Sequence, residues 1–232
     1  MIDIARRCIS EAFGTAALIL IGPGAVMVDS LTGGGIGTLG IAVAFAAVVT
    51  AVVASTGHIS GAHINPAVTI GLWWAGRHPR AEVLPYVVAQ FVGAVVGARM
   101  LKAALGDVAR IGGTFPSLTV ERALGVEIVL SLLLVLVILG VTSKRSAPGN
   151  APLAIGITVG FCALVGGPLT GASMNPARSF GPAVIAGDWT AHWIYWIGPM
   201  VGSGIAVGLY RGMAVPGTRG VDSCQGDAQA RH

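Results

Sequence analysis

Charge is scarce in this chain. Asp, Glu, Lys and Arg together make up only 10% of its 232 residues, where about a quarter is usual in a soluble domain. So little charge cannot coat a soluble globule, and a hydrophobic share of 54% excludes disorder as well. Cysteine is also rare. Cys8, Cys162 and Cys224 lie far apart, with no CxxC and no Cys/His grouping, which excludes a disulfide framework and a zinc site and leaves three free thiols. No run of Lys and Arg forms a nucleic-acid patch, although the formal net charge is +4. In place of charge there are 35 glycines and long apolar runs.

A helix needs about 20 mostly apolar residues to cross about 30 Å of hydrocarbon. Six stretches suit this, at about 8–28, 38–56, 83–105, 121–142, 151–167 and 191–212. The first follows Arg6 and Arg7, as a signal peptide would, but its length is that of a span. These segments predict one integral transmembrane domain over 1–212, followed by a polar tail over 213–232. With six crossings, Arg6, Arg7, Arg77, Arg80, Lys144, Arg145, Arg211, Arg219 and Arg231 fall on one side, against Arg99, Lys102, Arg110 and Arg122 near the other. The positive-inside rule then puts both termini in the cytoplasm, and the cell (inner) membrane is the expected location.

An internal repeat carries the most specific signal. Ser60-Gly61-Ala62-His63-Ile64-Asn65-Pro66-Ala67 recurs as Thr170-Gly171-Ala172-Ser173-Met174-Asn175-Pro176-Ala177, 110 residues later. A similar offset relates Glu11 to Glu127 and Gln90 to Pro199. The chain therefore reads as two halves, about 1–105 and 121–212, of three spans each. An odd number of spans inverts the second copy in the membrane, as in inverted repeats built around a midplane site.

Each Asn-Pro-Ala opens a short apolar stretch, 66–76 and 176–186, of about 11 residues or about 16 Å of helix, half a bilayer. Asn before Pro is a helix start: the Asn oxygen caps free backbone donors, and Pro has no N–H to lose at the first position. One such motif is commonly only a cap, whereas two, each between apolar spans, point to paired half-helices meeting at the membrane centre. Irregular backbone survives at that depth only inside protein or beside water. The carbonyls of Gly61, Ala62, His63 and Ile64, and of Gly171, Ala172, Ser173 and Met174, are thus candidate pore lining.

With these paired motifs, followed in the second copy by Arg178-Ser179, the chain resembles the aquaporin family, or major intrinsic proteins, from about residue 9 to 211. The resemblance implies an all-α membrane protein with six transmembrane helices plus two re-entrant half-helices, a passive pore in each subunit, a homotetramer and no cofactor. It implies that Asn65, Pro66, Ala67, Asn175, Pro176 and Ala177 form the pore motif. It also implies a constriction at Phe45, Ala163, Ala172 and Arg178. Water-selective members carry histidine at the position of Ala163, and His58, His63, His78, His192 and His232 all lie outside the fifth span. A wider, less polar filter follows. The stretch from Gly167 to Ala183 looks like the nodulin-like branch, which implies glycerol and metalloid hydroxides such as arsenous acid as solutes beside water. A water-selective aquaporin is the alternative.

Glu11 and Glu127, ionisable groups inside spans, are expected to face the bundle and support the loops. For His63, a carbonyl contribution outweighs a gating role. Trp73, Trp74, Trp189, Trp193 and Trp196 read as interfacial or packing residues. Gly93, Gly97, Gly202, Gly204 and Gly208 suggest close helix contacts. Two readings of other classes stand beside the channel. A serine protease using Ser173 with His58, His63 or His192 leaves the duplicated motif unexplained. A coupled secondary transporter suits inverted repeats, but Glu11 and Glu127 are the only carboxylates well inside a span, which leaves little for ion coupling.

Overall fold

The computed structural model describes residues 3–144 and 146–213. Arg145 and 214–232, and with them Cys224, Arg219, Arg231, His232 and nearly all of the expected tail, lie outside the described residues. Among the described residues every regular element is helical: α1 (Ile4–Leu31), α2 (Gly37–Ser60), α3 (Pro66–Trp74), α4 (Arg80–Leu105), α5 (Ala109–Gly112), α6 (Val120–Val141), α7 (Ala151–Thr170), α8 (Pro176–Ala186) and α9 (Ile194–Met213). Six are long, α3 and α8 are half-length, and α5 is one turn.

Five long helices, α1, α2, α4, α6 and α7, are long and apolar enough to cross a membrane. The sixth, α9, has 20 residues, about 30 Å of helix, but Gly198, Gly202, Ser203, Gly204, Gly208 and Arg211 dilute its hydrophobicity. Its start falls at Ile194 rather than near 191. The approach to it is turned by Asp188, whose Oδ1 accepts from the Thr190 N–H at 3.0 Å, and by Ala191 at φ +50°.

The two halves pack alike. α1 lies on α4 and α6 lies on α9, while α2 and α7 join the halves. Each short helix also reaches across, α8 against α4 and α3 against α9. Without a hydrophobic drive between helices in lipid, such contacts depend on close backbone approach. A Cβ on Gly93 would fall inside the contact shell of the Ala12 carbonyl oxygen, and one on Gly97 would lie 2.8 Å from the Ala16 oxygen. Gly202 meets the Ile128 carbonyl oxygen in the same way. Gly204 and Gly208, grouped with these by sequence spacing, instead face outward. Leu84, Val88, Val92, Val96 and Met100 form an exposed apolar stripe on α4, the surface expected toward lipid.

Gly93→Val should force α1 and α4 apart, since added methyl groups in a filled contact cost about 1–3 kcal/mol or more. Thermal unfolding in detergent is expected to show a clear loss of stability for Gly93→Val and little change for Gly208→Val.

Candidate pore

The two half-helices start in the same way, each from an Asn cap followed by Pro, at the centre of the bundle. Asn65 Oδ1 accepts from the Ala67 N–H at 2.9 Å, and Asn175 Oδ1 accepts from the N–H groups of Ala177 at 3.0 Å and Arg178 at 3.3 Å. The amide nitrogens cross between halves: Asn65 Nδ2 donates to the Met174 carbonyl and Asn175 Nδ2 to the Ile64 carbonyl, both at 2.8 Å. Each Asn therefore caps its own helix and ties down the other loop.

Those loops are strained in the same alternating pattern. Gly61, Ala62 and Ile64 have φ of +88°, +47° and +44°, and Gly171, Ala172 and Met174 have +83°, +44° and +52°. Left-handed backbone at a non-glycine residue costs of order 1–3 kcal/mol and persists only when its surroundings enforce it. Two carboxylates do so here. Glu11, fully buried, accepts at Oε1 from the His63 N–H (2.9 Å) and Ser60 hydroxyl (2.7 Å), and at Oε2 from the Ile64 N–H (2.6 Å) and Gln90 Nε2 (2.8 Å). Glu127, also fully buried, accepts at Oε1 from the Ser173 N–H (2.9 Å) and Thr170 hydroxyl (2.7 Å), and at Oε2 from the Met174 N–H (2.8 Å). The flanks are pinned as well: the Tyr86 hydroxyl donates to the Ser60 carbonyl and the Tyr195 hydroxyl to the Thr170 carbonyl, both at 2.8 Å.

With the N–H groups of Ala62, His63, Ile64, Ala172, Ser173 and Met174 turned toward a carboxylate or hydroxyl, the opposite edge is left with carbonyls. Those of Gly61, Ala62, His63, Gly171, Ala172 and Ser173 accept from no donor among the described residues. Those of Ile64 and Met174 differ, since the crossing asparagines occupy them.

A cavity of about 560 Å³ runs along these loops. It is lined by Gly61, Ala62, His63, Ile64, Asn65, Ala172, Ser173, Met174 and Asn175, with Val49, Leu134, Ile138, Ile155 and Val159 as an apolar wall. His58 and Thr142 line it as well as Phe45; thirteen residues of helix separate His58 from Phe45, so it extends about 20 Å. Phe45, Ala163, Ala172 and Arg178 are all in the lining, whereas Gly171, Pro66, Ala67, Pro176 and Ala177 are not. Ala67 and Ala177 pack at zero exposure behind the caps.

Arg178 is 3% exposed. Its Nη1 donates to the Gly112 carbonyl at 2.9 Å, its Cζ lies 5.3 Å from the Phe45 ring centroid, and its Nε has no protein partner. Gly112 belongs to α5, where Arg110, Ile111 and Gly112 share left-handed φ of +50°, +55° and +64°. Nothing in the sequence singles out Gly112, because its backbone oxygen does the work. Ser60 and Thr170 did carry a signal, as hydroxyl residues at matching places in the repeat. Gln90 has no polar counterpart at Pro199.

The residue pair beside each Asn differs between halves. His63 Nδ1 lies 3.1 Å from the Thr69 hydroxyl, and the Ser173 hydroxyl lies 2.5 Å from that of Ser179. Ser173 also donates to the Asn175 carbonyl at 2.9 Å. No histidine among the described residues bonds to it, so a serine–histidine dyad is not formed. His78, in the α3–α4 connection, packs on His63 with ring centroids 4.8 Å apart, and burial pushes its pKa below the usual imidazole range. Among the described residues no group of three metal-ligating side chains occurs.

Residues 1–210 match the family model described as Major intrinsic protein. The chain belongs to the major intrinsic protein family. It is 42% identical to "Probable aquaporin AqpM" of Archaeoglobus fulgidus, covering 91% of this chain and 98% of that protein. It is 40% identical to "Aquaporin NIP1-1" of Zea mays, over 85% of this chain and 71% of that one. The aquaglyceroporin from Plasmodium falciparum superposes with a TM-score of 0.79 at 25% identity, over 90% of this chain and 96% of that chain. As a major intrinsic protein the molecule is an integral, multi-pass membrane channel for water and small solutes, and not an enzyme.

Removing Glu127 strands the buried N–H groups of Ser173 and Met174, at about 1–3 kcal/mol each. Glu127→Ala is therefore expected to abolish water flux in proteoliposomes and to lower the unfolding temperature. Ser60→Ala, which removes one hydroxyl from the other carboxylate, should cost less in both measurements.

Proposed function

We propose that this major intrinsic protein passes glycerol and uncharged metalloid hydroxides such as arsenous acid, together with water, and excludes ions and protons. The observation that carries the reading is the pair of methyl groups, Ala163 and Ala172, in the cavity lining that also holds Phe45 and Arg178. Two alanines beside one aromatic ring and one guanidinium leave room for a solute larger than water. In this reading Phe45, Ala163, Ala172 and Arg178 are the selectivity filter, Asn65, Pro66, Ala67, Asn175, Pro176 and Ala177 the pore motif, and Glu11 and Glu127 the loop supports.

Transport then follows from chemistry on the two walls. A polyol or hydroxide entering the bore loses water and regains hydrogen bonds from the unoccupied carbonyls of Gly61, Ala62, His63, Ala172 and Ser173 as acceptors and from Arg178, Asn65 and Asn175 as donors. Its carbon or metalloid side faces Val49, Val159 and Leu134. A cation loses far more hydration energy and meets Arg178 together with the N-terminal ends of α3 and α8, each equivalent to about half an elementary charge. Both buried carboxylates already accept three or four hydrogen bonds, which leaves neither free for ion coupling and favours a channel over a coupled transporter. The likeness to the aquaglyceroporin from Plasmodium falciparum supports this reading.

A water-selective aquaporin is the second reading, and a relative named "Aquaporin Z" in Photorhabdus laumondii is 37% identical. Flux of water, glycerol, urea and arsenous acid into proteoliposomes separates the two. The reading includes a single channel domain over 1–212, a homotetramer that covers part of the outward apolar surface, and a cell-membrane location with both termini cytoplasmic.

Ala163→His adds an imidazole to the proposed filter, and it is expected to lower glycerol and arsenous acid permeability much more than water permeability. Equal slowing of every solute would remove Ala163 from the constriction. Arg178→Val should leave neutral-solute flux largely intact while raising proton leak, read from a pH-sensitive dye inside the vesicles.

A further inference from the structure

The walls of the bore are seated by a residue that does not line it. Gly22, in the middle of α1, faces the edge of the Phe45 ring: a Cβ there would lie 2.7 Å from Cδ1, 2.5 Å from Cζ and closer still to Cε1. No aromatic ring tolerates that overlap, so the ring occupies its place only because position 22 has no side chain.

Two further contacts decide where a displaced ring would go. Retreat of α2 is blocked by α7, since Gly156 already packs on the Ala46 carbonyl, with a would-be Cβ 2.6 Å from that oxygen, and Gly160 on the Ala46 methyl at 2.8 Å. The opposite wall is fixed from the same stretch of α1. Pro23 abuts Gly112, whose would-be Cβ lies 2.7 Å from Pro23 Cα, and the Gly112 carbonyl holds Arg178 Nη1 at 2.9 Å. Ile111, fully buried, anchors that turn among Ile19, Met27 and Leu101. The open volume beside Phe45 is the cavity itself.

The geometry points to Gly22 as a positioning residue that sets the bore of the channel through Phe45. It does so against an arginine whose hydrogen-bond partner, Gly112, packs on the next residue of the same helix, Pro23. The inference rests on the reading that Phe45 and Arg178 wall the narrowest passage. Its consequence is specificity: any side chain at position 22 drives the ring toward Arg178 and discriminates against the wider solute.

The test is the ratio of glycerol to water permeability in proteoliposomes for wild type, Gly22→Ala, Phe45→Leu and the double variant. Gly22→Ala is expected to lower the ratio by about threefold or more, and the double variant to match Phe45→Leu, since the smaller side chain removes the collision. An unchanged ratio in Gly22→Ala, an equal fall in both solutes, or a double variant that keeps the Gly22→Ala defect would overturn the inference. If Gly22→Ala fails to reconstitute, recovery of the double variant supports it, and failure of both while Phe45→Leu reconstitutes overturns it. A wild type that conducts water alone defeats the solute reading without touching this one: Gly22→Ala must then slow water per channel and Phe45→Leu restore it.

Discussion

Everything in this channel depends on one constraint, that unpaired backbone polar groups cannot sit in hydrocarbon. Two loops of irregular chain at mid-membrane depth break the rule that only helices cross, and Glu11 and Glu127 make them possible. Each carboxylate collects the N–H groups on one edge of a loop. The left-handed residues at Ala62, Ile64, Ala172 and Met174 then turn the carbonyls to the other edge. The polar wall and its support are thus one structure: the same alternation that exposes acceptors to a solute presents donors to a buried acid. A neutral side chain of similar size could not collect two N–H groups and a hydroxyl at once.

The halves are related by the repeat but not identical, and the differences collect around the proposed filter. Glu11 has Gln90 as an additional donor, while the equivalent place in the second half is Pro199. In exchange the second loop carries a hydroxyl chain, Thr114 to Ser179 at 2.8 Å and Ser179 to Ser173, where the first has His63, Thr69 and Gln90. Arg178 has no counterpart either, since Val68 stands at the matching position of the first copy. One half therefore supplies the fixed charge and the other the aromatic ring that faces it.

How much of this was legible in the sequence follows from which atoms act. Side chains that repeat, such as the two Asn-Pro-Ala motifs and the paired glutamates, announce themselves, and α8 runs from Pro176 to Ala186 as the sequence predicts. The long helices begin and end within a few residues of the apolar runs, since apolarity is what the bilayer selects. α3 stops at Trp74 instead of continuing to 76, because Gly76 adopts φ +77°. Groups that act through the backbone stay silent: the Gly112 oxygen on Arg178 and the seat that Gly22 gives Phe45 have no pattern of residue types. The spacing of Gly208 suggested a helix contact that the fold does not make, since small-residue spacing fixes a face of α9 but not its neighbour.

The guanidinium of Arg178 shows how the parts converge. A buried cation needs partners, yet only one of its nitrogens donates to a protein oxygen, on Gly112, while Nε has none. A buried guanidinium with one protein partner is costly unless something in the cavity that it lines also accepts from it. In the proposed reading the solute or water in transit is that acceptor, with the unoccupied loop carbonyls of the lining as its other partners. Because the Gly112 carbonyl already holds one arm of Arg178, a passing molecule in this reading adds to its coordination without becoming indispensable to it. A ligand that satisfied every donor would bind and stay; one that satisfies a remaining donor at each level binds weakly and moves on.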